Sequence, residues 1–190
     1  DAEWLFLDAQ MLWTKETDPR GKTEPSDAEK LISRGKPFYH WILYRNGWEC
    51  IPEACSHLLG YIREQEPVDA IVAFSQASNV VSCLVKTLRD LGDPIPWKLN
   101  VFFSGGFPKP VEWQFENDPQ PTVQVTCGEQ DPYYPGGEPD LNCMYSDVLR
   151  LQHTDGHSFP KTQPRAGEIF ARVALEVRQR CGCGLSGNTD

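Results

Sequence analysis

The feature that most constrains this chain is a rhythm of short apolar runs. They fall at Trp4–Leu7, Ala70–Phe74, Leu99–Phe103, Thr122–Thr126 and Val148–Leu151. Each is rich in Val, Ile, Leu or Phe and is bounded by Gly, Pro, Asp or Ser, which predicts buried strands. Helical spacing fills the intervals. Ile51, Ala54, Cys55, Leu58, Leu59 and Ile62 recur at i, i+3, i+4 and i+7, so one stripe is expected to face the sheet. Val80, Val81, Leu84, Leu88 and Leu91 repeat the pattern. Ile169, Phe170, Val173, Ala174 and Val177 form a last helix, which Gly182 and Gly184 help to end. Strands alternating with helices predict an α/β fold: a mostly parallel sheet covered by helices on both faces.

A chain of 190 residues is long enough for one domain with a sizeable core. That domain is expected over residues 1–180, with 181–190 as a flexible tail. Thr14 to Pro37 is polar, carries Pro19, Gly21 and Pro25, and reads as a long surface loop or a lid. Pro108 to Pro121, with Trp113 and Phe115, is expected to border a pocket.

The net charge of -9 argues against a nucleic-acid groove, which needs clustered Lys and Arg, and against a polybasic membrane surface. No apolar run approaches the roughly 20 residues that span a bilayer. No secretory signal pattern opens the chain. A cytoplasmic protein with no nucleic-acid or membrane partner is expected, and nothing fixes its oligomeric state. The seven cysteines are an odd number scattered through apparent core elements, including Cys55, Cys83 and Cys127. They read as small buried hydrophobes in a reducing compartment. Cys181 and Cys183 form a CxC pair without a second ligand pair nearby, so no metal is expected.

Open parallel sheets place working residues just past the carboxyl ends of their strands. One strand runs out through Val72-Ala73-Phe74-Ser75-Gln76-Ala77-Ser78 into a helical pattern. Strand, small-x-Ser-x-small, helix is the context of a nucleophile elbow, in which a tight turn lifts the serine hydroxyl above the sheet. The small residues are Ala73 and Ala77. Another strand ends Thr126-Cys127-Gly128-Glu129-Gln130-Asp131, where an acid could orient an imidazole. The last strand leads to His153-Thr154-Asp155-Gly156-His157, a loop suited to a general base. Ser75, Asp131 and His157 thus follow the chain order of α/β-hydrolase triads. Asp155 is the rival acid, but it is too close to His157 in sequence to point easily at its ring. His40 and His57 lie in or before helical patterns and are expected to be structural; His153 is expected to support the site or be structural.

These stretches resemble the fungal-type serine hydrolase family, also called the FSH or ovarian-cancer-gene-2-like family of α/β-hydrolases. The resemblance covers residues 3–178. It rests on Trp4-Leu5-Phe6-Leu7-Asp8-Ala9, Pro67-Val68-Asp69-Ala70-Ile71-Val72-Ala73-Phe74-Ser75-Gln76, Phe103-Ser104-Gly105-Gly106, Gly128-Glu129-Gln130-Asp131 and His153-Thr154-Asp155-Gly156-His157-Ser158-Phe159-Pro160. The family usually has Gly where Ala73 and Ala77 stand. The resemblance implies esterase or thioesterase chemistry on small to medium acyl groups, with no metal or organic cofactor. It also implies a sequence truncated at its N-terminus, because family members begin with a further strand whose His-Gly loop supplies an oxyanion amide. Gln76 is then the expected oxyanion donor, and weak hydrolysis by residues 1–190 alone is expected. Met11, Trp13, Phe107 and Tyr133 are the expected substrate-binding residues. A catalytically impaired binding module and an acyltransferase using the same three residues are the alternatives; reaction of Ser75 with a fluorophosphonate separates the first of these from a hydrolase.

Overall fold

The computed structural model describes residues 2–12, 14, 34, 36–42, 48, 50–134 and 136–182. Its residues form two compact units, 1–64 and 65–190. The expected lid over 14–37 lies almost wholly outside the described residues, as do Cys183 and most of the tail.

In the first unit, β1 (Met11–Leu12) pairs antiparallel with β2 (Tyr39–His40), and α1 spans Ile51–Glu64. Helix α1 buries Ile51, Ala54, Cys55, Leu58 and Ile62, the stripe its spacing predicts. Trp4–Leu7 is not a strand. Trp4 is 64% exposed and Phe6 85% exposed, so this segment joins neither sheet among the described residues. An apolar run makes a strand only where a neighbour completes its ladder, and that neighbour is not visible in the run itself. His40 lies in β2, ahead of α1. His57 does lie in α1, with Nε2 3.1 Å from the Asp8 carbonyl.

The second unit holds a four-stranded parallel sheet in the order β3-β4-β5-β6. The strands are β3 (Ala70–Phe74), β4 (Leu99–Phe103), β5 (Thr122–Thr126) and β6 (Val148–Gln152). Helix α2 (Gln76–Leu91) connects β3 to β4, and α3 (Arg165–Cys181) follows β6. The register pairs Ala70 with Leu99 and Phe74 with Phe103, and Val101 with Val123. Residues alternate in facing along each strand, so this register stacks like with like. One face gathers Leu99, Val101, Phe103, Val123 and Val125 against Ile169, Val173, Val177 and Cys181 of α3. Each such large side chain, fully buried, contributes roughly 1.5–3 kcal/mol.

The opposite face lies toward α2. There Phe102 meets Tyr145 at 6.4 Å between ring centres, and Tyr145 Oη lies 3.0 Å from Ser82 Oγ of α2. This face also buries polar residues, several of which are paired. Trp97 Nε1 donates to Asn100 Oδ1 at 2.6 Å, and Asn100 Nδ2 donates to Thr122 Oγ1 at 3.2 Å. Gln124 closes the crossover by donating to the Pro139 carbonyl and accepting from the Leu141 amide. Helix α2 ends in Gly92 at φ 74°, and α3 in Gly182 at φ 71°, the left-handed termination that glycine adopts without a Cβ clash. The fold is a mostly parallel α/β sheet with helices, consistent with the α/β-hydrolase type.

Candidate active site

Between β3 and α2 stands one residue, Ser75. Its φ of 53° and ψ of -117° are unusual for a residue with a side chain, and such a backbone costs of order 1–3 kcal/mol. Neighbours hold it there. The Ser75 amide donates to the Phe103 carbonyl at 2.8 Å, and the Ser78 amide donates back to the Ser75 carbonyl at 3.1 Å. Ala73 is 6% exposed, so a small side chain fits there.

The Ser104–Gly106 loop supports the turn at close range. A Cβ on Gly105 would sit 2.6 Å from the Ser75 carbonyl oxygen and 3.2 Å from Ser78 Cβ. Gly106, at φ 102°, donates its amide to Asn79 Oδ1 at 2.9 Å and accepts from Ser82 Oγ at 2.6 Å. Gly105→Ala must therefore push backbone against backbone. It is expected to cost about 1–3 kcal/mol, as overpacked positions do, and to lower Tm by several degrees in thermal unfolding followed by circular dichroism.

His157 reaches the same point from the loop after β6. Its Nε2 lies 2.9 Å from Ser75 Oγ, and its Nδ1 lies 2.8 Å from Asp131 Oδ2. The second Asp131 oxygen accepts the Tyr133 amide at 2.8 Å. A buried carboxylate on Nδ1 favours the tautomer with the proton there, which leaves Nε2 to accept from the Ser75 hydroxyl. Asp131 is 1% exposed. Burial alone raises its pKa, but the hydrogen bonds from His157 and the Tyr133 amide, with the attraction of the imidazole, bring it below the ordinary carboxylate value. The resulting contribution to folding is present above the unfolded pKa and is lost as pH falls through the folded one.

Aromatic rings flank the imidazole. The Phe74 ring centre is 5.2 Å from that of His157, and Tyr133 stands edge-on at 4.5 Å. Phe159 stacks on Phe74 at 5.0 Å and meets Phe103 at 4.8 Å. Tyr133, expected to bind substrate, stands beside the imidazole; Phe74 and Phe159 are not among the expected site residues, although both lie within the motif stretches.

The other acids and bases near the site have other partners. Asp155 accepts from the Lys161 amide and from the amide and hydroxyl of Thr162, and these bonds hold its pKa down to about 2. Its Oδ2 lies 3.7 Å from His153 Nδ1, not against His157. His153 is 2% exposed; burial first, then Arg165, lowers its pKa despite Asp155. Its Nδ1 accepts the Asp155 amide at 3.2 Å, so the neutral ring braces the loop that carries His157.

Behind Asp131 lie Cys127 and Glu138, each offering an atom within 4.8 Å of the others. Both Asp131 oxygens are already engaged by His157 and Tyr133. Burial, with Asp131 and Glu138 nearby, pushes the Cys127 thiol up to about 12.

Gln76 opens α2 directly after Ser75, and the first turn of that helix carries no acidic residue. Phe107 is half-buried just past Gly106. Met11 lies in β1 of the first unit, and Trp13 falls outside the described residues. A cavity of about 440 Å³, lined by Cys127, Gly128, Gly137, Glu138, Arg150 and Gln152 among others, includes neither Ser75 nor His157. A second, of about 410 Å³, lies between Lys86 and Arg89 of α2 and the segment Phe115–Pro119. No helix among the described residues is long and apolar enough to cross a membrane.

Comparison with known proteins sets this geometry in a family. The sequence model for the serine hydrolase (FSH1) family matches residues 1–169. The chain belongs to that family. The family assignment agrees with the resemblance drawn from the motifs. Among curated relatives, esterase FPY3 of Fusarium mangiferae is 27% identical over 139 residues, covering 65% of this chain and 63% of FPY3. The match therefore spans less than two thirds of that esterase. Hydrolase phiM of Fungal sp. (strain ATCC 74256) is 23% identical over 152 residues, covering 70% of this chain and 71% of phiM.

Proposed function

We propose that this chain carries the hydrolytic centre of a serine esterase acting on carboxylic esters or thioesters of small to medium acyl groups. The observation that carries this reading is the unbroken hydrogen-bonded series from Asp131 through His157 to Ser75. His157 Nε2 takes the Ser75 proton as Oγ bonds to the acyl carbon. The tetrahedral adduct collapses, the bond to the leaving oxygen or sulfur breaks, and His157 returns the proton to that group. Water, deprotonated by His157, then attacks the acyl-Ser75 ester and releases the acid with Ser75 restored. Asp131 remains ionised throughout and stabilises the imidazolium.

Negative charge builds on the former carbonyl oxygen in both steps. The Gln76 backbone N–H, at the positive end of α2, is the donor we assign to it. Phe107 and Tyr133 are the residues we assign to the acyl or leaving-group wall, and Phe74 and Phe159 keep the imidazole side of the cleft apolar. No cofactor enters these steps.

The test is active-site titration. Hydrolysis of p-nitrophenyl butyrate is expected to fall linearly to zero as a fluorophosphonate is added up to one equivalent per chain. Hydrolysis that persists after stoichiometric phosphonylation overturns the reading.

A further inference from the structure

Glu138 is a buried acid that the chemistry above does not use. It sits in the crossover between β5 and β6, in the turn Gly136-Gly137-Glu138-Pro139, and is 5% exposed. Its Oε1 accepts the Cys127 amide at 3.4 Å, while its buried Oε2 has no hydrogen-bond partner. A Glu138 oxygen lies within 4.8 Å of an Asp131 oxygen. Two carboxylates this close and this buried are costly to ionise together.

The groups facing Glu138 do not relieve that cost. From the end of β5 come the Thr126 hydroxyl, the Cys127 thiol and, beyond them, Asp131. From β6 comes Arg150, but its guanidinium donates to the Glu138 backbone carbonyl at 3.2 Å and pairs with Asp140 at 3.2 Å. Glu129, on the wall of the same cavity, adds only negative charge. Among the described residues no cation pairs with the Glu138 carboxylate.

We propose that Glu138 is a positioning residue that stores a proton behind Asp131 and thereby sets the pH at which His157 becomes a free base. The proposal rests on Asp131, His157 and Ser75 being the hydrolytic centre. Burial first, opposed by the Thr126 hydroxyl and reinforced by Asp131, moves the Glu138 pKa to about 7. With Glu138 neutral, Asp131 acts on His157 without the charge of this second carboxylate. With Glu138 ionised, a second negative charge favours the imidazolium, which cannot accept the Ser75 proton. The two groups then share protons as a coupled pair, and the wild-type transition is broadened and displaced upward.

The experiment follows the His157 Cε1–H signal by NMR titration, assigned with His157→Ala, together with the acid limb of kcat/KM for p-nitrophenyl butyrate. Glu138→Gln keeps the shape and removes the ionisation. It is expected to lower the His157 midpoint and the acid limb by about one pH unit, while Glu138→Asp, which keeps a carboxyl, stays near wild type. A Glu138→Gln titration that superimposes on wild type or moves upward overturns the proposal. So does an equal shift in Glu138→Asp, which would mark a packing effect. Ser75→Ala distinguishes the failures. An inactive Ser75→Ala with an unshifted His157 in Glu138→Gln defeats the proposal alone, whereas an active Ser75→Ala defeats the hydrolytic reading and the proposal with it.

Discussion

Ser75→Ala is expected to lower kcat/KM for p-nitrophenyl butyrate by on the order of 10⁴-fold or more. Residues of a nucleophile–base pair act as a unit, so losing the nucleophile removes nearly all they contribute. The effect on stability should be small and its sign favourable or neutral. Ser75 is held at φ 53° by its neighbours, not by its hydroxyl, whose hydrogen bond in the structure is to His157. Alanine retains the backbone and the Cβ, so Tm should stay within a few degrees of wild type. Activity loss with Tm retained separates lost chemistry from lost folding. His157→Ala should match it in size, and the double variant should be little worse than either single one.

Asp131→Asn is expected to cost on the order of 10⁴-fold in kcat, with a smaller change in KM. Asparagine preserves the shape and can still accept the Tyr133 amide. Its amide nitrogen, however, can donate to His157 Nδ1. That would place the imidazole proton on Nε2, the atom that must accept from Ser75. The variant also loses the charge that stabilises the imidazolium. Steady-state kinetics measured with a folding check on each preparation will decide it. A loss of less than about 10-fold would show that Asp131 neither sets the tautomer nor supports the cation.

Much of this site was legible before the structure, because a parallel sheet makes a simple demand on sequence. Strands β4 and β5 are buried along their whole length and β3 and β6 in part; apolar residues dense enough to mark these runs place β3, β4 and β5 at their observed bounds and β6 one residue short. Their carboxyl ends then select Ser75, Asp131 and His157 from a chain with many other serines and acids. Helical stripes mark α1, α2 and α3, although α2 is buried all round over 78–85 and Leu91 of its stripe is exposed.

What was missed depended on partners remote in sequence. Trp4–Leu7 has a strand's composition without a strand's ladder, and composition alone cannot supply one. Strands β1 and β2 contain two residues each, too few for a periodic signal. Phe74 and Phe159 become walls of the imidazole only when the loop after β6 folds over the end of β3. Glu138 gave the least warning. In a turn with two glycines and a proline, an acid reads as a solvated surface residue. It is buried because the crossover folds back beside Cys127 and Asp131. The asymmetry is physical: a repeated apolar pattern announces a core, whereas one buried charge has no periodicity to announce it.

Covalent labelling asks whether Ser75 is the nucleophile activated by His157 and Asp131. The chain is labelled with a fluorophosphonate, digested, and the adduct located by tandem mass spectrometry. One adduct per chain is expected, on the Oγ of Ser75, formed much more slowly in His157→Ala. An unlabelled Ser75, or an adduct on another residue while Ser75 remains intact, would contradict it.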